Sequence, residues 1–279
     1  MFEPNCVVVV PFSEIAIKGD QTRAFFEKRL RKNITDYLDH FEVPISGIDL
    51  HAGRMVIHSP APQKVISSLT TCFGINLLFL AQQIEFTTLE DLCKKSAIAS
   101  KGSFDEGTFA VRGKSFTKEF SSKKLEEEIG GTLLDAYPKL KVKLKNPEKE
   151  FYCLTIKQKA YFYFEPVLGM KGMPVGTQGR AALLVTKDSK EKDLILLGKS
   201  LLKVGCSVAI VSDEIKIPDL SELSKFTSFK EFKINTLEYA KSGYGTDNLR
   251  AFFSTARTKE QAKKDSELVG VKVFAPLLF

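Results

Sequence analysis

Apolar residues recur every fourth position at Phe26, Leu30, Ile34 and Leu38, the spacing of one buried face of an α-helix. On either side of that helix the pattern shortens. Cys6–Val10 is a continuous apolar run stopped by Pro11, and Ile48–Leu50 and Arg54–Ile57 are brief segments meeting at Ala52-Gly53. These read as strands, the last two as a hairpin. A second helix starts near Pro62, a residue suited to a first helical turn, and ends before Gly74, after which Asn76–Ala81 gives a closing strand. The order strand, helix, two strands, helix, strand over residues 1–83 predicts a ferredoxin-like domain, with its helices on one face of an antiparallel sheet.

A second domain is expected over 84–168. Thr88–Ser100 reads as a helix and Thr108–Arg112 as a strand, and Ser121 and Ser122 offer caps for a helix whose inward face is Leu125, Ile129 and Leu133. Residues 139–145 alternate strictly between lysine and apolar side chains, which predicts a strand with four lysines on one face and three apolar residues on the other. Asn146-Pro147 ends it. Phe151–Lys157 and Ala160–Phe164 read as two more strands; in the latter Tyr161 and Tyr163 alternate with Phe162 and Phe164, so one pair is expected to be core.

A glycine-rich linker, 169–178, leads into a third domain over 179–279. Its candidate strands are Ala181–Thr186, Ser207–Val211, Phe229–Lys233, Leu249–Thr255 and Val271–Ala275, with helical stretches between most of them. That rhythm predicts a parallel, Rossmann-like α/β sheet covered on both faces. The chain is therefore read as a multidomain protein combining α+β and α/β parts.

Composition narrows the class. At 43% hydrophobic and 27% charged residues the chain can build real cores. It shows no apolar run near membrane-spanning length and no charged-then-apolar leader with a cleavage site, so a cytoplasmic protein with no membrane partner is expected. Cys6, Cys72, Cys93, Cys153 and Cys206 are widely spaced, without a C-x-x-C pair, and read as reduced core thiols. His40, His51 and His58 have no metal-ligand spacing, so no metal site is expected.

The net charge of +7 matters less than where it sits. Arg112, Lys114, Lys118, Lys123 and Lys124 crowd one strand-to-helix passage, and the lysine-faced strand follows soon after. A half-exposed strand often carries lysines on its wet face, but two clusters within one small domain favour a polyanion. Glu126-Glu127-Glu128 is expected to turn its acidic face elsewhere. Without an obvious stacking platform, phosphate and shape contacts with folded RNA are favoured over single strands.

Several segments carry a resemblance. Ser13-Glu14-Ile15-Ala16-Ile17-Lys18-Gly19 with Arg23 to Leu30 is similar to a "GEIxxKG…R..FE..L" opening, with Ser13 in place of glycine. Val111-Arg112-Gly113-Lys114-Ser115-Phe116, Glu128-Ile129-Gly130-Gly131 and Leu144-Lys145-Asn146-Pro147-Glu148 follow, then Gly169-Met170-Lys171-Gly172-Met173-Pro174-Val175-Gly176-Thr177. Together they resemble the tRNA 4-thiouridine synthase (tRNA sulfurtransferase) family, built from a ferredoxin-like domain, a THUMP domain and a PP-loop ATP-pyrophosphatase domain. The resemblance implies that the first two domains bind tRNA, with the THUMP domain gripping the acceptor end. It points to Lys18, Arg23, Arg112, Lys114, Lys118 and Arg180 as RNA-facing, and to Lys145 and Asn146 near the 3′ end. It also implies a homodimer.

The third domain departs from that family. Active members place S-G-G-x-D-S after the first strand, where glycines let backbone amides close on ATP phosphates. Here Thr186, Lys187, Asp188 and Ser189 stand instead, with no glycine, and Asp188 with Glu191 resembles a capping box. No cysteine follows Cys206, no rhodanese-like segment is found, and Ser254-Thr255-Ala256-Arg257-Thr258 replaces a G-E-S-x-G-Q-like segment. The expectation is a tRNA-binding protein with a degenerate PP-loop, no catalytic residues or cofactor of its own, and a separate catalytic or sulfur-donor protein as partner. The alternatives are an active ATP-dependent tRNA sulfurtransferase with a divergent loop, and a protein-binding scaffold.

Overall fold

The computed structural model describes residues 2–51, 53–212, 218–227, 234–235 and 249–277. The chain divides into two compact units, the first made of Met1–Val10, Val43–Ser67 and Leu77–Leu168, the second of Pro11–Glu42, Ser68–Asn76 and Gly169–Phe279.

The first unit is organised by an eight-stranded sheet in the order β2-β3-β1-β4-β8-β7-β5-β6. Its strands are β1 (Cys6–Pro11), β2 (Gly47–His51), β3 (Arg54–His58), β4 (Ile75–Glu85), β5 (Glu106–Ser115), β6 (Lys139–Val142), β7 (Lys149–Ile156) and β8 (Lys159–Leu168). The order β2-β3-β1-β4 is that of a ferredoxin-like sheet, and β4 runs past its expected end at Ala81. There it pairs antiparallel with β8 from Leu77↔Leu168 to Glu85↔Lys159, with a register shift between Phe79 and Ala81. Two domains legible separately in the sequence therefore share one sheet.

α3 (Pro62–Leu69) starts at the expected proline. α4 (Leu89–Ser100) and α5 (Ser122–Ala136) are capped by Thr88 and Ser121, whose hydroxyls accept from Asp91 N and Lys124 N. Leu125, Ile129 and Leu133 pack with Phe109, Phe151 and Phe162 in one core. The tyrosines are buried as well: Tyr161 and Tyr163 join Cys6, Val8, Val56 and Leu154 in a second core, so neither aromatic pair of β8 is a wet face. Phe79 and Ala81 of β4 and Leu154 of β7, the strands on either side of β8, belong to the same cluster. The lysine strand is also shorter than its pattern. β6 stops at Val142; only Leu140 of its apolar set is buried, while Val142 and Leu144 are 52% and 66% exposed. Pairing with β5 ends at Phe109↔Val142, and the chain then leaves the ladder.

In the second unit the sheet order is β11-β10-β9-β12-β13, from β9 (Arg180–Val185), β10 (Ser207–Ser212), β11 (Ile234–Asn235), β12 (Leu249–Phe253) and β13 (Val273–Phe274), all parallel. The expected strand at Phe229–Lys233 lies outside the described residues. α6 (Glu191–Lys203) covers one face through Leu194, Leu197 and Leu201, and α7 (Lys259–Val269) reaches the other through Val269. The first strand, β9, lies in the middle, so strand order reverses between β9 and β12.

This unit also holds α1 (Ser13–Ala16) and α2 (Asp20–His40), whose Phe26, Leu30, Ile34 and Leu38 are buried as the spacing predicts. Residues 169–178 are a packed strap. Arg29 Nε and Asn33 Nδ2 of α2 both donate to the Val175 carbonyl, at 2.7 and 3.1 Å. Met173 N donates to Lys203 O, and Gly176 N and Gln178 N both donate to Gly205 O. A Cβ on Gly169 would lie 2.4 Å from Ile75 O, and one on Gly172 2.5 Å from Lys203 O, so backbone contact explains the glycine at these two positions.

Candidate functional site

Two places gather chemistry: the basic rim of the first unit and the carboxyl edge of the parallel sheet in the second.

At the rim, β5 carries Arg112 and Lys114 out of the sheet. Arg112 Nε donates to Glu150 Oε1 at 2.8 Å, and its Nη2 donates to the Leu144 carbonyl at 2.8 Å. Glu150 Oε2 accepts from the Tyr152 hydroxyl. Burial pushes the Glu150 carboxyl up, but bonds from Tyr152 and Arg112 outweigh it and hold the group below the usual range. The passage into α5 is closed by Ser115 N donating to Ser122 Oγ and Gly113 N to Glu126 Oε1. Glu126 therefore faces the basic passage, contrary to expectation, because the Gly113 amide needs an acceptor; Glu127 pairs with Lys123 at 3.7 Å.

The structure brings Arg112, Lys145 and Asn146 together around Leu144. Lys145 and Asn146 are exposed, and Asn146 takes a left-handed backbone with φ 49°. Lys114 and Lys118 are exposed nearby in sequence. Among the described residues, Lys114, Lys118, Lys141, Lys143 and Lys145 form no ion pair. The remaining candidates belong to the second unit. Lys18 is half-buried in the turn before α2, Arg23 Nη2 is bonded to Asp20 at 2.7 Å, and Arg180 is exposed at the amino end of β9, opposite its carboxyl edge.

That carboxyl edge holds Thr186–Ser189. Ser189 Oγ accepts from Thr186 N at 3.0 Å and meets Thr186 Oγ1 at 3.2 Å, so the turn closes on its own hydroxyl. α6 starts at Glu191 with Lys190 at its N-cap and no side-chain cap, so the expected Asp188–Glu191 capping box does not form. Lys187 and Asp188 are exposed. Thr255 Oγ1 donates to Ser189 Oγ at 3.3 Å, linking the loops after β12 and β9. A second link joins Arg257 to Asp193 through Nε–Oδ2 and Nη2–Oδ1 at 3.2 and 2.8 Å. Beneath them Asp265 of α7 is buried, its pKa pushed up by burial, lowered by a bond from Ser254 and raised by Asp188. Sequence reading did not single out Asp193 or Asp265. Their partners lie 64 residues from Asp193 along the chain and in another element from Asp265, so no local signal marks them.

Among the described residues no group of histidine, cysteine and carboxylate side chains could hold a metal, and no helix is long and apolar enough to cross a membrane. Cys6, Cys72, Cys93 and Cys153 are buried and Cys206 half-buried, all as free thiols.

Residues 7–78 match the ThiI ferredoxin-like domain and residues 86–165 the THUMP domain. A probable tRNA sulfurtransferase of Methanosarcina acetivorans is 32% identical over 190 residues, covering 66% of this chain and 45% of that protein. One from Bacillus pumilus is 31% identical over 182 residues, with coverages of 64% and 45%. The chain spans under half the length of these curated relatives. The crystal structure of PH1313 from Pyrococcus horikoshii superposes with a TM-score of 0.81 at 24% identity, over 98% of this chain and 94% of that one. That of a 4-thiouridine synthetase–RNA complex with bound ATP gives 0.72 at 21% identity, over 99% and 81%. These likenesses establish the fold. With a ThiI ferredoxin-like domain followed by a THUMP domain, the chain belongs to the ThiI family.

Proposed function

We propose that this protein binds tRNA through its acceptor region and acts in tRNA thiolation alongside a separate catalytic partner, without adenylating the RNA itself. The observation that carries the reading is the rim of the THUMP domain, where Lys114, Lys118, Lys141, Lys143 and Lys145 are exposed and unpaired. Lysines not neutralised within the protein are free to release counterions from phosphates, the main source of affinity for nucleic acid. The relatives named as tRNA sulfurtransferases and the synthetase crystallised with RNA support tRNA as the polyanion.

The residues at the carboxyl edge do not fit a nucleotide's phosphates. No glycine opens the Thr186–Ser189 turn, and Glu191 and Asp193 occupy the first turn of α6, where a helix would otherwise favour an anion. The Ser189–Thr255 and Asp193–Arg257 links span the place where strand order reverses. An active ATP-dependent enzyme remains the rival, because the RNA-bound synthetase of similar fold holds ATP.

Filter binding of the full chain to bulk tRNA across a salt series tests the RNA reading. Binding that weakens steeply with salt, and is lost when Arg112→Glu is combined with Lys114→Glu, is expected. No binding, or binding indifferent to salt and to those changes, refutes it.

A further inference from the structure

Arg112 combines two roles that a phosphate-contacting residue does not need. Its Nε is engaged by Glu150, and its Nη2 reaches across to hold a backbone carbonyl at Leu144, 32 residues away. The segment so held is anchored on each side to β5: Lys143 N donates to Phe109 O, and Glu148 N to Thr108 O. Between those anchors the backbone passes through the left-handed Asn146 and leaves Leu144, Lys145 and Asn146 exposed. The Tyr152 hydroxyl fixes the other oxygen of Glu150, so the holder is itself held.

We propose that Arg112 is a positioning residue: gripped by Glu150, it fixes the Leu144 carbonyl and thereby sets how Lys145 and Asn146 meet the 3′-terminal nucleotides of tRNA. The inference rests on the tRNA-binding reading above and deepens it. A planar guanidinium can bridge a carboxylate and a carbonyl at once, whereas a lysine ammonium supplies the charge without that fork. An arginine paired with a carboxylate is also a poor phosphate ligand, because the incoming anion meets the carboxylate's charge as well. The exposed lysines then supply attraction, and Arg112 supplies geometry.

The test uses the full chain and fluorescence-detected binding of a tRNA transcript, intact or lacking its single-stranded 3′ terminus. Glu150→Gln and Arg112→Lys are each expected to weaken intact tRNA by about five- to tenfold, the net scale of one ordinary hydrogen bond. Binding of the truncated RNA is expected to stay unchanged. Tyr152→Phe, which removes one hydroxyl and keeps the ring, is expected to act in the same direction more weakly, and thermal melts check that each variant folds. If Glu150→Gln binds intact tRNA as well as or better than wild type, Arg112 contacts phosphate itself and the inference is wrong. Equal losses on both RNAs also overturn it, since a general structural defect does not single out the 3′ end. A wild-type chain that binds neither RNA defeats the tRNA reading, and this inference with it. A wild-type chain that binds while Glu150→Gln is silent defeats this inference alone.

Discussion

Arg257 donates twice to Asp193, from Nε to Oδ2 at 3.2 Å and from Nη2 to Oδ1 at 2.8 Å, and so ties the loop after β12 to the first turn of α6. The hydrogen bond from Arg257, reinforced by its charge, holds the Asp193 carboxyl below the usual range. An open parallel sheet binds ligands at such a reversal of strand order, and here that edge carries an ionised carboxylate and its own arginine.

Millimolar MgATP is therefore expected to leave the melting temperature of the chain unchanged. A ligand at a hundred times its Kd would stabilise the folded state by about 2.7 kcal/mol, easily seen in a thermal melt. A clear upward shift with MgATP would show that the edge opens to nucleotide.

The rim predicts a different signature. Lys114→Ala is expected to weaken tRNA binding and to lower the slope of log K against log salt by about one, the effect of losing one phosphate contact. A salt series on wild type and variant measures it, and an unchanged slope would place Lys114 away from the RNA.

Gly172 has φ 72°, and a side chain there would meet the Lys203 carbonyl, a backbone atom that cannot swing aside. Gly172→Ala is expected to destabilise the protein by about 1–3 kcal/mol, from left-handed strain and the clash together. Urea unfolding gives the number. A neutral result would mean that the strap is a loose linker.

Asp265 has a raised pKa, chiefly from burial. Stability contributed by its protonated form is fully present below the ordinary aspartate pKa and is lost as pH rises through the raised value. Asp265→Asn keeps an acceptor for Ser254 and removes that loss. Its melting temperature is expected to exceed wild type at neutral pH, with the gap closing on acidification. A gap constant with pH would mean that burial of the charge is not the cause.

Periodicity made much of this legible. The four-residue spacing from Phe26 to Leu38 identifies the buried face of α2, and Ser121 and Thr88 mark helix starts by local hydrogen bonding. What stayed hidden depends on distant partners. The joining of β4 to β8 is a register between residues such as Gln82 and Phe162, which neither segment specifies alone. Residues 139–145 alternate throughout, but β6 ends where Lys143 N turns to Phe109 O and Arg112 draws the Leu144 carbonyl. The glycines of 169–178 mark a linker in the sequence, but nothing local shows that Gly169 and Gly172 are packed against the Ile75 and Lys203 carbonyls. At the carboxyl edge, the missing glycines were visible in the sequence. The Ser189–Thr255 and Asp193–Arg257 links were not.

The most direct test of a tRNA-binding protein without its own adenylation chemistry is ATP–pyrophosphate exchange by the purified chain saturated with tRNA. The account predicts exchange no higher than in a blank without protein. Exchange that requires tRNA and disappears in Asp188→Ala would contradict it and establish an active ATP-dependent sulfurtransferase.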